Sequence, residues 1–312
     1  MEVTDIILNL EKDVEEYFIT DQQDALIAIL KAENALFLDT GFISRFANAP
    51  LEIMGDFFKE KCVLIVTDLV IYELSEKDGR RISNHARDFF KRISEQGIKL
   101  VLIKEMSLPS QLGEYISKSP LERNRDFVAL LCKNKAALSS LAQAIKELTA
   151  KYKDILANDY KVSKNASFTT DVIRELVSRK KEKDSLAEEL IIVCILLIME
   201  LPKGGKMFFC THDHASIARF NKAVQTTVPD LEDRACAVSL YSFVAFLIKI
   251  GVLKESEKEQ IIMFLKKVYG NRIKVVKTAQ LPAQAFKEEL TPEEIAIGML
   301  RGENYLLMMS HG

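Results

Sequence analysis

Ala35-Leu36-Phe37-Leu38-Asp39-Thr40-Gly41-Phe42-Ile43 is an apolar run that stops on a carboxylate where a helix begins. A short continuous apolar run reads as a strand buried on both faces. Asp39 then lies at the carboxyl edge of a sheet, where open α/β folds place their chemistry. A charge beside an apolar strand costs free energy unless something pairs with it. The plain partner is the start of the next helix, which Asp39 would cap; a metal ion is the other.

Working outward, the same pattern returns. Cys62 to Thr67 is a second continuous apolar strand, Ile98 to Ile103 a third after the Gly97 break, Lys206 to Thr211 a fourth and Ala235 to Ser239 a short fifth. Between them lie amphipathic or apolar helices, from Asp68 brokenly to about 96, from Asp184 to Glu200, over 215–223 and over 240–250. Strands alternating with helices predict an α/β fold with a mostly parallel sheet. Residues 4–33 read as one or two helices, and 51–60 as another. Residues 105–183 are helical, polar and lysine-rich, too long for a simple loop. The chain divides into an N-terminal helical segment over 1–34, an α/β domain over 35–250 with its helical insertion at 105–183, and a charged C-terminal extension over 251–312. That extension reads as helical, with a possible strand at Arg272 to Thr278. Within it Pro292 suits a first helical turn, Thr291 its cap and Glu294 the capping-box position.

A chain of 312 residues that is 48% hydrophobic can bury a full core. Its net charge of −2 and pI near 6.2 give no global attraction for nucleic acid, so any such contact needs local patches. Arg174, Arg179, Lys180, Lys181 and Lys183 form one, with a solvated helix as the alternative reading. Cys62, Cys132, Cys194, Cys210 and Cys236 show no knuckle spacing, and the first, third and fourth lie in apolar runs, as buried thiols in a reducing cytosol do. The acidic start Met1-Glu2-Val3-Thr4-Asp5 is unlike a signal peptide. The apolar stretch Leu190 to Met199 is too short to span a bilayer, which takes about 20 residues. The expectation is a soluble, cytoplasmic protein without a membrane partner.

Four acids share the setting of Asp39: Glu73 in the helix after the second strand, Asp184 and Glu188 at the start of the apolar helix, and Asp213 after the fourth strand. A parallel sheet gathers such positions at one edge. Asp184 and Glu188, four apart, are expected on one helix face. Several carboxylates around one point raise each other's pKa unless a cation joins them. Hard oxygen ligands of this kind suit Mg²⁺ or Mn²⁺. His212 and His214 invite a zinc reading, but no third His or Cys ligand lies nearby in sequence; polar side chains at the cleft rim explain them.

The stretches Leu38-Asp39-Thr40-Gly41-Phe42-Ile43, Asp68-Leu69-Val70-Ile71-Tyr72-Glu73-Leu74, Asp184-Ser185-Leu186-Ala187-Glu188 and Phe209-Cys210-Thr211-His212-Asp213 resemble, in order, the four acidic motifs of PIN-domain nucleases. The resemblance covers about 35–105 and 184–250. It implies a PIN-like three-layer sandwich, a central mostly parallel sheet flanked by helices, in a larger member of the family with a helical insertion. It also implies an Mg²⁺- or Mn²⁺-dependent nuclease, an RNA endonuclease more often than a DNase. Asp39, Glu73, Asp184 and Asp213 would carry catalysis and hold the ion, with Glu188 as a supporting ligand or in place of Asp184. Thr40, Ser44, Arg45 and Thr211 are the candidates for touching substrate, with exposed helix positions as the plain reading of Ser44 and Arg45. A structure-specific flap DNase and a catalytically silent RNA-binding scaffold stay open, as do a second copy of the chain or a protein inhibitor as partner. A phosphatase of the aspartyl-phosphate type wants a second Asp where Gly41 stands.

Overall fold

Residues 3–47, 55–77, 79–148, 152, 164–181, 184–201, 204–277, 286–303 and 305–308 are described by a computed structural model of the protein. The chain opens with helices α1 (Val3–Val14) and α2 (Gln22–Lys31), the latter capped by the Asp21 carboxylate, and enters strand β1 (Asn34–Leu38). Helices α3 (Thr40–Phe46) and α4 (Gly55–Lys61) lead to β2 (Cys62–Thr67). Next come α5 (Asp68–Glu73), α6 (Asn84–Glu95) and β3 (Lys99–Ile103). The helix expected from Asp68 to about 96 is therefore two helices. Between them the backbone turns, bridged at Ser75 and Ile82, and Ser83 caps the second.

Four helices follow: α7 (Leu108–Tyr115), α8 (Pro120–Asn134), α9 (Ser139–Lys146) and α10 (Phe168–Ser178). They occupy the stretch expected to be a helical insertion, except where it lies outside the described residues. The sheet resumes through α11 (Leu186–Met199), β4 (Lys206–Cys210), α12 (His214–Thr227) and β5 (Ala235–Val238), and α13 (Leu240–Lys249) closes this part. Helix α11 starts two residues later than expected, so Asp184 precedes it. Ser185 is its N-cap, and no helical repeat ties Asp184 to Glu188.

All five strands are parallel, in the order β3-β2-β1-β4-β5. Their side chains are buried on both faces in β1 and β2 and in all but the first residue of β3 and β4, which is why these segments read as unbroken apolar runs. From β1 the chain first winds through β2 to β3, then returns past β1 to β4 and β5. Right-handed crossovers in opposite directions put helices on both faces. The order therefore reverses between β1 and β4, and the crevice at their carboxyl ends is the switch point of the sheet. Gly205 lets β4 start close against the chain before β1: a Cβ there would lie 2.1 Å from the Glu33 carbonyl oxygen.

The C-terminal part differs from expectation. After α14 (Lys258–Tyr269) come β6 (Ile273–Lys277), β7 (Phe286–Leu290), α15 (Pro292–Leu300) and β8 (Tyr305–Met308). The three strands form an antiparallel sheet in the order β7-β6-β8, so this region is not simply helical. Strand β7 is an edge whose Glu288 and Glu289 are exposed, and charge on an edge strand erases its alternation in sequence. Thr291 and Glu294 form the expected capping box around Pro292. Thr278 lies outside the described residues. Cys62, Cys194 and Cys210 are buried free thiols. Among the described residues no helix is long and apolar enough to cross a membrane.

Candidate active site

Asp39 continues the β1–β4 ladder by one bond, its N–H donating to the Cys210 carbonyl at 3.1 Å. This fixes its backbone at the switch point. The residue is 4% exposed, and its carboxylate caps α3 by accepting from Phe42 N–H at 2.5 Å. The cap reading is thus realised, yet it leaves the carboxylate in an adverse field. Burial pushes the Asp39 carboxyl up to about 7, and Glu73 and Asp213 push the same way against hydrogen bonds from Thr211 and Phe42. A lone cap would not be surrounded by other acids.

Thr211 is fully buried after β4, its N–H held by the Val238 carbonyl at 3.0 Å. Its side chain bonds Asp39, and its Oγ1 accepts from the Asp213 N–H at 3.0 Å. It positions both acids and has no surface for substrate, which corrects the expectation that it touches one. Asp213 caps α12, accepting from Ala215 N–H at 2.9 Å, Ser216 N–H at 3.2 Å and Ser216 Oγ at 2.7 Å. Its partial burial raises the carboxyl, but those hydrogen bonds outweigh it and, with Arg219 nearby, hold Asp213 below the ordinary carboxylate range.

Glu73 is the last residue of α5. One oxygen accepts from Thr40 Oγ1 at 2.5 Å, and the other pairs with Lys180 Nζ at 2.9 Å. Thr40 therefore orients an acid within the site. Lys180, just past α10, also reaches Asp184 Oδ1 at 2.6 Å. Asp184 further accepts from Lys181 N–H at 2.6 Å and Leu186 N–H at 3.1 Å, stitching together the turn into α11. Glu188, in the first turn of α11, has an Oε2 that is buried without a partner. Burial first, then Glu73 and Asp39, push its carboxyl up to about 7, with Lys180 opposing.

A cleft of about 780 Å³ opens over this group, lined by Thr40, Glu73, Lys180, Asp184 and Glu188 among others. A second, of about 220 Å³, shares Lys181 and Asp184 with it and adds Arg179. Asp39, Glu73 and Glu188 are thus brought into one repulsive field, with Asp213 beyond Asp39. Asp184 joins through Lys180. Ser44 is exposed on α3, its Oγ donating to the Thr40 carbonyl at 2.8 Å, and Arg45 is half-buried. His212 corrects the rim reading: it is buried, stacked on Phe42 with Tyr269 edge-on, and pushed down to about 4 by burial, Arg45 and His214. The ring packs as part of the core between Phe42 and Tyr269, with its Nε2 buried and unpartnered.

Two roles escaped the sequence reading. Lys180 was expected to meet a nucleic-acid backbone or to lie on a solvated helix, and the structure instead buries it between Glu73 and Asp184; its spacing of four from Asp184 was the available signal. Glu189 is fully buried and accepts from Ser140 N–H at 3.0 Å and Leu141 N–H at 2.6 Å, capping α9 from another helix. Its signal was an acid at the head of an otherwise apolar helix.

Among the described residues no three Asp, Glu, His or Cys side chains are disposed to hold a metal ion as they stand. Glu73 and Asp184 are turned to Lys180. The donor chemistry nevertheless suits a hard cation: the acids are oxygen ligands, two are raised to about 7 by burial and then by neighbouring acids, and the Glu188 oxygen is unpartnered. No family model, no curated protein and no solved structure matches the chain.

Proposed function

We propose that the chain is a divalent-metal-dependent nuclease that hydrolyses phosphodiester bonds, with RNA as its substrate. One observation carries the reading: Asp39, Glu73 and Glu188 converge at the switch point of a parallel sheet, beside an open cleft, and repel one another. The resemblance of the four acidic stretches to PIN-domain motifs points the same way. Asp39, Glu73 and Glu188, with Asp213 alongside, are the residues that would hold Mg²⁺ or Mn²⁺. Such an ion neutralises charge on the scissile phosphate and activates water.

The chain's own residues do the rest. Thr211 fixes Asp39 and Asp213 relative to each other, and Thr40 fixes Glu73. Arg179 and Lys181 border the adjoining cleft, where they can meet a strand's phosphates. Hydrolysis adds water across the P–O3′ bond: the phosphate stays on the 5′ end of the downstream fragment, and the departing 3′ oxygen of the upstream fragment takes a proton. The test is cleavage of single-stranded RNA and flap DNA by nuclease-free preparations with and without Mn²⁺. Mn²⁺-stimulated RNA cleavage that leaves 5′-phosphate ends and is lost in Asp39→Asn supports the reading. Cleavage undiminished in Asp39→Asn overturns it, and preference for the flap substrate replaces RNA with DNA.

A further inference from the structure

We infer that Lys180 is the second cation of this site, so that the acid cluster takes one divalent ion and not two. The inference rests on the metal-dependent reading above. Lysine is almost never fully buried unless paired, and the Lys180 side chain is 2% exposed. Its ammonium lies 2.9 Å from Glu73 Oε1 and 2.6 Å from Asp184 Oδ1. A buried charge is kept only where the geometry repays its desolvation. Here the turn is built for it: Lys180 N–H donates to the Val177 carbonyl at 3.1 Å, and Asp184 holds the Lys181 and Leu186 N–H groups. The same carboxylate that receives the ammonium thus fixes the backbone that presents it.

Oxygen occupancy then divides the cluster. Both Glu73 oxygens are engaged, by Thr40 and Lys180, and both Asp184 oxygens by Lys180 and the turn. Glu188 Oε2 has no partner, and Glu188 feels the Asp39 charge. A divalent ion therefore has its vacancy at Glu188 Oε2, while Asp39 beside it already takes hydrogen bonds from Phe42 and Thr211. A second ion at Glu73 and Asp184 would meet an ammonium at contact distance. Two-metal phosphodiesterases use their second ion to neutralise charge on the departing or attacking oxygen. An ammonium bordering the cleft can supply that positive charge. On this view Asp184 positions Lys180 and is not a metal ligand.

The test is Mn²⁺ binding, by calorimetry and by electron paramagnetic resonance, on the full chain and on Lys180→Met, Lys180→Arg and Asp39→Asn, each checked for folding by circular dichroism. One ion is expected in the unaltered protein. Lys180→Met should bind a second ion or bind the first about tenfold more tightly, because a nearby positive charge is gone. Lys180→Arg should restore the original stoichiometry. Two ions in the unaltered protein, or Lys180→Met binding unchanged or weaker, overturns the role of Lys180 and leaves the metal reading intact. No Mn²⁺ binding by the folded, unaltered protein overturns the metal reading and this inference with it. Should Lys180→Met not fold, the stoichiometry of the unaltered protein decides alone.

Discussion

Two buried aspartates stand at the same edge of the sheet and come to opposite ends. Asp39 follows β1 and Asp68 follows β2, they are 4% and 1% exposed, and burial pushes them up to about 7 and about 8. Asp68 is sealed: its Oδ1 accepts from the Glu105 N–H at 3.4 Å, while Glu105 Oε2 accepts from the Leu69 N–H at 3.2 Å. Lys104 pairs with Glu11 at 2.5 Å close by. This reciprocal bonding ties the end of β2 to the end of β3, neighbours that the chain passes in sequence. Asp39 sits where the strand order reverses, and its neighbours Thr40, Glu73 and Glu188 line an open cleft. A perturbed carboxyl group is thus no mark of chemistry by itself. Reversal of the sheet opens the crevice, and access to it separates a site from a staple.

The sharpest way to break that comparison is to remove each charge in turn and read Mn²⁺ binding. Asp39→Asn is expected to weaken it by at least about 100-fold, since even groups that only support a ligand cost 10–100-fold. Asp68→Asn should leave it unchanged, and equal losses in both variants would erase the distinction between the two edges. Stability against pH gives the next largest effect. Asp68 binds its proton more tightly folded than unfolded, so its contribution is fully present below the ordinary carboxylate value near 3.8 and is lost as pH rises through about 8. Asp68→Asn lacks this loss. Relative to the unaltered chain it should gain on the order of a few kcal/mol between pH 4 and pH 8 in urea unfolding. A flat difference curve would show that the proton is not held there. Lys104→Met comes third. It strands Glu11 beside Asp68, and because the Lys104 side chain is 32% exposed the cost should be about 2 kcal/mol, below that of a fully buried pair. Mn²⁺ affinity should not move.

The strand ends were legible because their signals are local. A continuous apolar run read β1, β2 and β4, and the acid or hydroxyl after each read the cap or helix start. The Thr291–Glu294 box was equally readable. Asp184 misled because helix phase was extended two residues too early, and only the Lys181 and Leu186 N–H groups reveal that it organises a turn. Lys180 was hidden for a different reason. Its spacing of four from Asp184 was a local signal, but the partner that decides its burial, Glu73, lies over a hundred positions away in sequence. Strand β7 was lost because edge charges break the alternation that would have marked it. What is local in cause was readable; what depends on a distant partner was not.

Thr211 offers the smallest effect and the finest test of how Asp39 differs from Asp68. Its hydroxyl bonds Asp39, and it also accepts from the Asp213 backbone, so one side chain couples the ends of β1 and β4. Thr211→Val keeps the shape and removes both bonds. The folded state should lose about 1 kcal/mol, the net worth of a hydrogen bond, or somewhat more because the Asp213 N–H is left unpartnered. The sign of the accompanying change is fixed. The Thr211 bond lowers the Asp39 carboxyl, so its loss moves that group further up, and the acid limb of Mn²⁺ binding should shift to higher pH. A purely structural threonine would lower stability and leave that limb in place. Asp68, which has no such hydroxyl tying it across a strand reversal, should keep its own pH signature in the Thr211→Val background.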